Sequence, residues 1–201
     1  MTQDAALLMV DVQNDFCPGG ALAVPGGDRV VEPLSRAAEC FAAAGLPVLA
    51  SRDWHPPVTR HFNGSGGAWP PHCVQDTPGA GYHPGLHLPE GTLVISKGSD
   101  PDSDAYSAFD GRGLDGSTLG DILAALCVKH LFVGGLATDY CVLATVLGAL
   151  RAGYTVTVLA DAIAGVDISP GDSEKAAEEM RLAGASFSTT DEAIRQFCCK
   201  A

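Results

Sequence analysis

The sequence predicts an α/β fold, a three-layer sandwich in which helices cover both faces of a parallel sheet. Short apolar runs alternate along the chain with longer segments whose apolar residues recur every three or four positions. The first run, Ala5–Val10, is apolar throughout, as expected of a strand that is buried on both faces. The chain has 201 residues, and we expect residues 1–201 to form a single domain.

Three strands and one helix are predicted in the first half of the chain. Asp28 is a plausible N-cap for a helix over Arg29–Ala44, which Gly45 ends. The predicted strands are Ala5–Val10, Pro47–Ser51 and Thr92–Ser96.

The second half of the chain continues this alternation. Ser117 is expected to cap a helix over Leu119–Leu126, and a fourth strand begins at Leu131–Val133. The remaining predicted elements are a helix from about Asp139 to Ala152, a strand over Tyr154–Leu159, a helix over Asp172–Ala183, and a last short pair over Ala185–Ser188 and Asp191–Phe197. Because strands that are separated by helices form right-handed crossovers, these elements predict a parallel sheet.

The charge balance excludes two classes of partner. The chain has 24 acidic and 12 basic residues, a formal net charge of −12. A nucleic-acid surface needs clustered Lys and Arg, and an anionic membrane surface attracts the same residues. The longest apolar stretches are also far shorter than the ~20 residues that span a bilayer. We therefore expect neither a nucleic acid nor a membrane as partner.

The cellular location is expected to be the cytoplasm. The N-terminal segment lacks the basic residues of a signal peptide and meets Asp4 and Asp11 too early for an apolar region. The seven cysteines show no repeated spacing, so a disulfide framework is not expected.

One long connection, at about residues 54–91, interrupts the alternation. Fourteen of the 37 glycines and prolines lie between Pro56 and Gly91, and so do four of the six histidines, with a fifth at His55. A long segment without periodicity inside a compact domain is usually functional. We therefore expect something to anchor this loop.

Three reactive side chains stand at predicted strand ends. Asp11 follows the first strand, Lys97 follows the third, and Cys141 comes just after the fourth. In an open parallel sheet, ligands bind beyond the carboxyl ends of the strands. These residues are therefore candidates for one active site.

Cys141 is the candidate nucleophile. With Thr138 as the N-cap, it would occupy the third position of a helix, where free amides and the helix dipole lower the pKa of a thiol. The same amides could bind the negative oxygen that forms when sulfur attacks a carbonyl. The alternative is a buried cysteine that only packs the helix start.

Asp11 and Lys97 are candidates for the base and for a balancing charge. A carboxylate among apolar residues should have a raised pKa, which suits it to accept a thiol proton. Alternatively, Asp11 could cap a turn with Gln13 and Asn14, and Lys97 could be a solvated surface charge.

A second cluster indicates a metal site. Asp53 and His55 are two residues apart, so they lie on the same side of an extended chain, and His61 and His72 follow in the long loop. Imidazole and carboxylate ligands suit zinc, iron or manganese. The alternative is that these histidines form hydrogen bonds with loop carbonyls.

Five segments carry the candidate residues and their neighbours: DVQNDFCPGG at 11–20, RDWHP at 52–56, WPPHCVQDTPGA at 69–80, KGSDPDSDAYSAFDG at 97–111 and GLATDYC at 135–141. In this order they resemble the nicotinamidases of the isochorismatase-like cysteine hydrolase superfamily. The resemblance implies a six-stranded, mostly parallel sheet with strand order 3-2-1-4-5-6. It also implies hydrolysis of nicotinamide to nicotinate and ammonia, a step of NAD salvage.

The resemblance further implies the site residues. The catalytic triad would be Asp11, Lys97 and Cys141. A cis peptide between Leu136 and Ala137 would turn the amides of Ala137 and Cys141 toward the oxyanion. One divalent transition metal ion (Zn, Fe or Mn) would be bound by Asp53, His55 and His72, with His61 matching a fourth ligand that only some members have. Aromatic residues around the pyridine ring would be Phe16, Trp69 and Tyr106.

Several alternatives stay open at this point. The ion could activate water as the nucleophile, with Cys141 a bystander. The protein could instead be a superfamily amidase for N-carbamoyl or other small amides, or an isochorismatase-type hydrolase. A metal- or ligand-binding module without activity is a third class. A homo-oligomer is possible, because oligomeric state varies within the family.

Overall fold

The computed structural model describes residues 4–198. The elements in chain order are β1 (Ala5–Val10), α1 (Val31–Ala43), β2 (Val48–Asp53), β3 (Leu93–Lys97), α2 (Leu119–Ala125), β4 (His130–Leu136), α3 (Leu143–Arg151), β5 (Thr155–Ala164), α4 (Asp172–Leu182), β6 (Ser186–Ser188) and α5 (Thr190–Cys198). No helix in this part of the chain is long and apolar enough to cross a bilayer.

The six strands form one sheet in the order β3-β2-β1-β4-β5-β6. All five pairings are parallel, and β1 lies in the middle, where Leu8 is in register with Leu49 of β2 and with Val133 of β4. The order agrees with the one that the family resemblance implies. Strand order reverses between β1 and β4, which is where a parallel sheet opens a crevice for ligands.

Hydrophobic cores lie on both faces of the sheet. Alternate residues of β1 point to opposite faces, so Leu7 and Met9 pack with α1 and α5 while Leu8 and Val10 pack with α2, α3 and α4. Phe41 of α1 is buried on the first face and Met180 of α4 on the second. The predicted three-layer sandwich is therefore confirmed.

Several predicted boundaries differ from the observed ones. A 3-10 turn over Gly27–Val30 precedes α1, and Asp28 makes no capping bond to the helix. Thr118, and not Ser117, caps α2, because its hydroxyl accepts from the amide of Asp121 while the Asp121 carboxylate accepts in return. The predicted last pair is a strand, β6, followed by a helix, α5. Each change moves an element end without changing the topology.

Candidate functional site

Asp11 follows β1 directly and is completely buried. Its backbone has a positive φ of 51°, which turns the chain out of the strand at this point. The hydroxyl of Ser51, on the neighbouring strand β2, donates a 2.6 Å hydrogen bond to Oδ1 of Asp11. The side chains of Gln13 and Asn14 form no hydrogen bond with the Asp11 carboxylate and donate instead to carbonyls of Asp53, Ala80 and Pro78. The alternative in which Asp11 caps a turn with them is therefore wrong.

Lys97 is the last residue of β3 and is only 1% exposed, so it is not a surface charge. Its Nζ lies 2.9 Å from Oδ2 of Asp11 and also contacts Oδ1 of Asp53. The same ammonium group donates to the carbonyl of Ala105 at 3.2 Å and lies 3.4 Å from Sγ of Cys141. One buried cation thus faces two carboxylates and the sulfur.

Cys141 lies in a π-helical turn, Thr138–Val142, that joins β4 to α3. The N-cap position belongs to Ala137, so the predicted placement of Cys141 as the third residue after a Thr138 cap is wrong by one residue. The peptide between Leu136 and Ala137 is cis, and the carbonyl of Ala137 accepts hydrogen bonds from the amides of Tyr140 and Val142. Carboxylate oxygens of Asp11 and Asp53 lie within 4.8 Å of the sulfur.

Burial dominates the electrostatics of these groups. It raises the pKa of Cys141 well above its ordinary value; Lys97 opposes this shift, while Asp11 and Asp53 add to it. The lowered thiol pKa expected from the helix start is therefore wrong, because the sulfur has lost its water. Burial also raises the pKa of Asp11, as the sequence predicts, with Lys97 opposing. The two carboxylates outweigh the effect of burial on Lys97 and hold its pKa well above the ordinary value.

The histidines of the long loop converge on a second buried cluster. Ligand atoms of His55, His61 and His72 lie within 4.8 Å of one another. Oδ2 of Asp53 is 3.6 Å from Nε2 of His55 and 3.9 Å from Nε2 of His72. The fourth predicted ligand, His61, is thus close enough to take part.

Each of the three histidine rings forms a hydrogen bond through Nδ1. The acceptors are the carbonyl of Gly98 for His55 (3.0 Å), the carboxylate of Asp104 for His61 (2.7 Å) and the carbonyl of Pro70 for His72 (2.8 Å). A proton on Nδ1 leaves the Nε2 lone pair free for a metal ion. The expected alternative, bonding to carbonyls, therefore applies to Nδ1 of His55 and of His72, and it is compatible with a metal site.

These residues fit a divalent transition metal ion. Nε2 of His55 is buried and has no hydrogen-bond partner among the residues that the structure describes, which is costly unless a ligand satisfies it. Burial lowers the pKa of His72 to about 4 and also lowers that of His61, so both rings are neutral at pH 7. Three imidazoles and one carboxylate are a donor set that zinc, iron and manganese accept.

Asp53 joins the two clusters, and Gln13 holds it in place. The amide side chain of Gln13 accepts from the backbone N–H of Asp53 at 2.7 Å and donates to its carbonyl at 2.8 Å. Although burial raises the pKa of Asp53, Lys97 and His55 lower it below the ordinary value, so the carboxylate is ionised. Sequence reasoning missed this role of Gln13, whose only signal is its place in the segment after β1.

A pocket opens beside both clusters. The predicted aromatic residues Phe16, Trp69 and Tyr106 all line it, and Trp69 Nε1 donates to the hydroxyl of Tyr106 at 3.0 Å. Tyr140 completes the aromatic wall, with its ring edge-on to that of Trp69 at 5.0 Å. The remaining lining residues are Leu22, Val24, Asp53, His61, His72, Ala137, Cys141 and Val166. Leu22, Val24 and Val166 carry no chemical motif, and sequence reasoning missed them.

The chain resembles proteins of known function over most of its length. The Isochorismatase domain family matches residues 5–192. A nicotinamidase of Escherichia coli is 45% identical over 200 residues, covering 92% of this chain and 94% of the relative. A nicotinamidase/pyrazinamidase of Mycobacterium tuberculosis is 42% identical, covering 89% and 95%.

The fold is shared with a solved structure. A pyrazinamidase of Pyrococcus horikoshii, crystallised in complex with zinc, superposes with a TM-score of 0.85 at 42% identity, covering 92% of this chain and 99% of the relative. The family match includes Asp11, Lys97 and Cys141 as well as the histidine loop. The chain therefore belongs to the isochorismatase family.

Proposed function

We propose that this protein is an amidohydrolase that converts nicotinamide and water to nicotinate and ammonia, a reaction of NAD salvage. The single observation that carries the proposal is the buried contact of Lys97 with both Asp11 and Cys141 at the edge of an aromatic pocket. We also treat residues 1–201 as one domain, which is supported by the single sheet and by the family match over residues 5–192.

Asp11, Lys97 and Cys141 form the catalytic triad of this proposal. Asp11 accepts the proton of the Cys141 thiol, and the raised pKa of its carboxyl group suits it to hold that proton. The thiolate forms a bond to the carboxamide carbon, whose oxygen becomes negative and is bound by the amides of Ala137 and Cys141. Lys97 stays protonated and stabilises the thiolate.

The second half of the reaction restores the enzyme. Asp11 gives its proton to the leaving nitrogen, the C–N bond breaks, and ammonia departs from a thioester on Cys141. Water then attacks the thioester and loses a proton to Asp11. The C–S bond breaks, nicotinate leaves, and the sulfur recovers the proton.

The pocket would hold the pyridine ring between aromatic side chains. Phe16, Trp69 and Tyr106 provide ring faces and edges, and Ala137 and Cys141 line the same pocket, in which the carboxamide must reach the sulfur. A ring of this size with an amide beside it is the shared feature of nicotinamide and pyrazinamide. We therefore expect related pyridine and pyrazine amides to be substrates as well.

Asp53, His55, His61 and His72 would hold the metal ion, which we propose to be zinc, iron or manganese. When bound, the ion orients the substrate through its ring nitrogen, directly or by way of water. Positioning of this kind would supply several kcal/mol of rate enhancement.

The proposal is tested by replacing the sulfur. Cys141→Ala is expected to lower ammonia release from nicotinamide by at least about 1,000-fold, because the nucleophile is lost, while metal content stays unchanged. Cys127→Ala, which removes an exposed cysteine, is the matched control and should keep wild-type activity. Mass spectrometry of rapidly quenched wild-type enzyme should detect a nicotinoyl adduct on Cys141.

Two results would contradict this scheme. Wild-type turnover by the Cys141→Ala protein would show that water attacks directly, with the metal ion as its activator. Faster turnover of N-carbamoyl compounds than of nicotinamide would show that the protein is an N-carbamoyl amidase of the same superfamily. The aromatic pocket and the histidine cluster favour the pyridine substrate.

We further propose that the enzyme acts in the cytoplasm, in keeping with the free thiols of Cys17, Cys73, Cys127 and Cys141. Its partner is a small-molecule substrate, with neither nucleic acid nor membrane, and a homo-oligomer is compatible with this function.

A further inference from the structure

The three histidines of the metal cluster differ in what holds them. Backbone carbonyls of Gly98 and Pro70 hold His55 and His72, whereas His61 is held by a side chain, the carboxylate of Asp104. The Nδ1–Oδ1 distance of this pair is 2.7 Å. The side chain of Asp104 is 46% exposed, while that of His61 is 6% exposed. A solvent-accessible carboxylate thus reaches inward to a buried ring.

The backbone around His61 has other supports. The amide of His61 donates to the hydroxyl of Thr59, and both Thr59 and the amide of Arg60 donate to the carbonyl of Pro101. These bonds join the histidine loop to the loop after β3 without using the Asp104 side chain. Removing that side chain therefore leaves the loop connected, and only the imidazole loses its partner.

We propose that Asp104 is a positioning residue that makes His61 a fourth protein ligand of the metal ion, an inference that rests on the metal site of the proposed function. The His61 ring stacks on that of His55, with centroids 4.7 Å apart, and meets Tyr106 edge-on at 5.7 Å. These contacts limit where the ring can lie, and the bond to Asp104 selects which nitrogen carries the proton. Without Asp104, the site reduces to Asp53, His55 and His72.

The physical reason lies in the chemistry of neutral imidazole. Its single proton can sit on either nitrogen, and only the form protonated on Nδ1 presents the Nε2 lone pair to a metal ion. An acceptor at Nδ1 fixes that form and the ring orientation. Replacing such an outer partner typically costs about 10- to 100-fold in metal affinity.

The experiment uses Co²⁺ as the probe, added to the metal-free full-length protein. Affinity is measured by competition with a chromophoric chelator, and the visible absorption of bound Co²⁺ reports the number and type of ligands. Asp104→Ala is expected to weaken Co²⁺ binding about 10- to 100-fold and to give the spectrum of His61→Ala. Asp104→Asn keeps an oxygen acceptor and should keep the wild-type spectrum.

A matched control separates hydrogen bonding from charge. Asp102 lies two residues away in the same loop and is exposed, so Asp102→Ala removes the same charge and should leave affinity and spectrum unchanged. The double variant Asp104→Ala/His61→Ala should bind no more weakly than His61→Ala alone, because both changes remove one ligand.

Several results would overturn the inference. They are wild-type affinity and spectrum in Asp104→Ala, an equal loss in Asp102→Ala, additive losses in the double variant, or no stoichiometric Co²⁺ binding by the wild-type protein. Failure of the proposed function is seen separately, as absence of ammonia release from nicotinamide by wild-type protein supplied with Zn²⁺, Fe²⁺ or Mn²⁺.

Discussion

At the scale of single residues, Asp53 links the two clusters of the site. One of its oxygens contacts Lys97, which belongs to the proposed triad, and the other faces His55 and His72. Because the Asp53 carboxylate contacts both Lys97 and the histidines, it fixes the position of the metal ligands relative to the triad.

Gly98 permits the position of His55. Its φ of +69° lies in the left-handed region, and a Cβ at this site would come within 2.7 Å of Nδ1 of His55. We expect Gly98→Ala to displace the ring, to weaken metal binding at least about 10-fold, and to lower the free energy of unfolding by about 1–3 kcal/mol.

Chelator competition and denaturant unfolding measure these two effects. Gly91→Ala is the control, because Gly91 also has a positive φ, +84°, but nothing lies within 4 Å of its Cβ position. Gly91→Ala should lower the free energy of unfolding without changing the affinity for the metal ion. Unchanged affinity in Gly98→Ala would refute the steric account.

At the scale of elements, the segment after β1 anchors the histidine loop. Asp15 Oδ2 accepts from the amide of Cys73 at 2.7 Å, next to His72, and Gln13 Nε2 donates to the carbonyl of Ala80 at 2.9 Å. Gly79 passes so close to the Asp15 carboxylate that a Cβ there would overlap with it. The sequence predicts that something anchors this loop, and these hydrogen bonds do so beside the metal ligands.

We expect Asp15→Ala to loosen the position of His72. A hydrogen bond to a charged acceptor contributes about 1.5–3 kcal/mol, so metal affinity should fall by about 10-fold or more. Asp76→Asn, in the same loop, is the control, because Asp76 is exposed and Asn tolerates its φ of +60°.

Metal affinity of the two variants is compared by chelator competition, with the unfolding midpoint as a check on folding. Equal affinities for Asp15→Ala and Asp76→Asn would show that the contact does not position His72.

At the scale of the whole molecule, buried neutral histidine makes stability depend on pH. Burial lowers the pKa of His72 to about 4 in the folded protein, against 6.5 for an ordinary histidine. Between these values the unfolded chain binds a proton and the folded protein does not, so acid favours unfolding. The contribution of neutral His72 to the free energy of unfolding is on the order of 3 kcal/mol. It is complete above about pH 6.5 and is lost as the pH falls toward 4.

Denaturant unfolding of chelator-treated protein at pH 7, 5.5 and 4 measures this effect. His72→Asn keeps a donor for the Pro70 carbonyl but does not titrate, so its stability should fall less between pH 7 and pH 4. Parallel curves for the two proteins would exclude His72 as a source of the acid sensitivity.

The sequence by itself determined the topology and which side chains meet. Parallel strands place their carboxyl ends on one edge, so the predicted strands place Asp11, Lys97 and Cys141 on the same edge of the sheet. The motifs also named Asp53, His55, His61 and His72 as a group. These results depend on local patterns and on the family resemblance, which the printed sequence carries directly.

Only the tertiary structure decided how the groups act on one another. The raised pKa of Cys141, the double contact of Asp53, the support of His61 by Asp104, and the pocket walls at Leu22, Val24 and Val166 arise from segments that are distant in the chain. Loss of water and close contact between charges are set by three-dimensional packing. A one-dimensional pattern names the donors and acceptors, but burial and distance decide the energies.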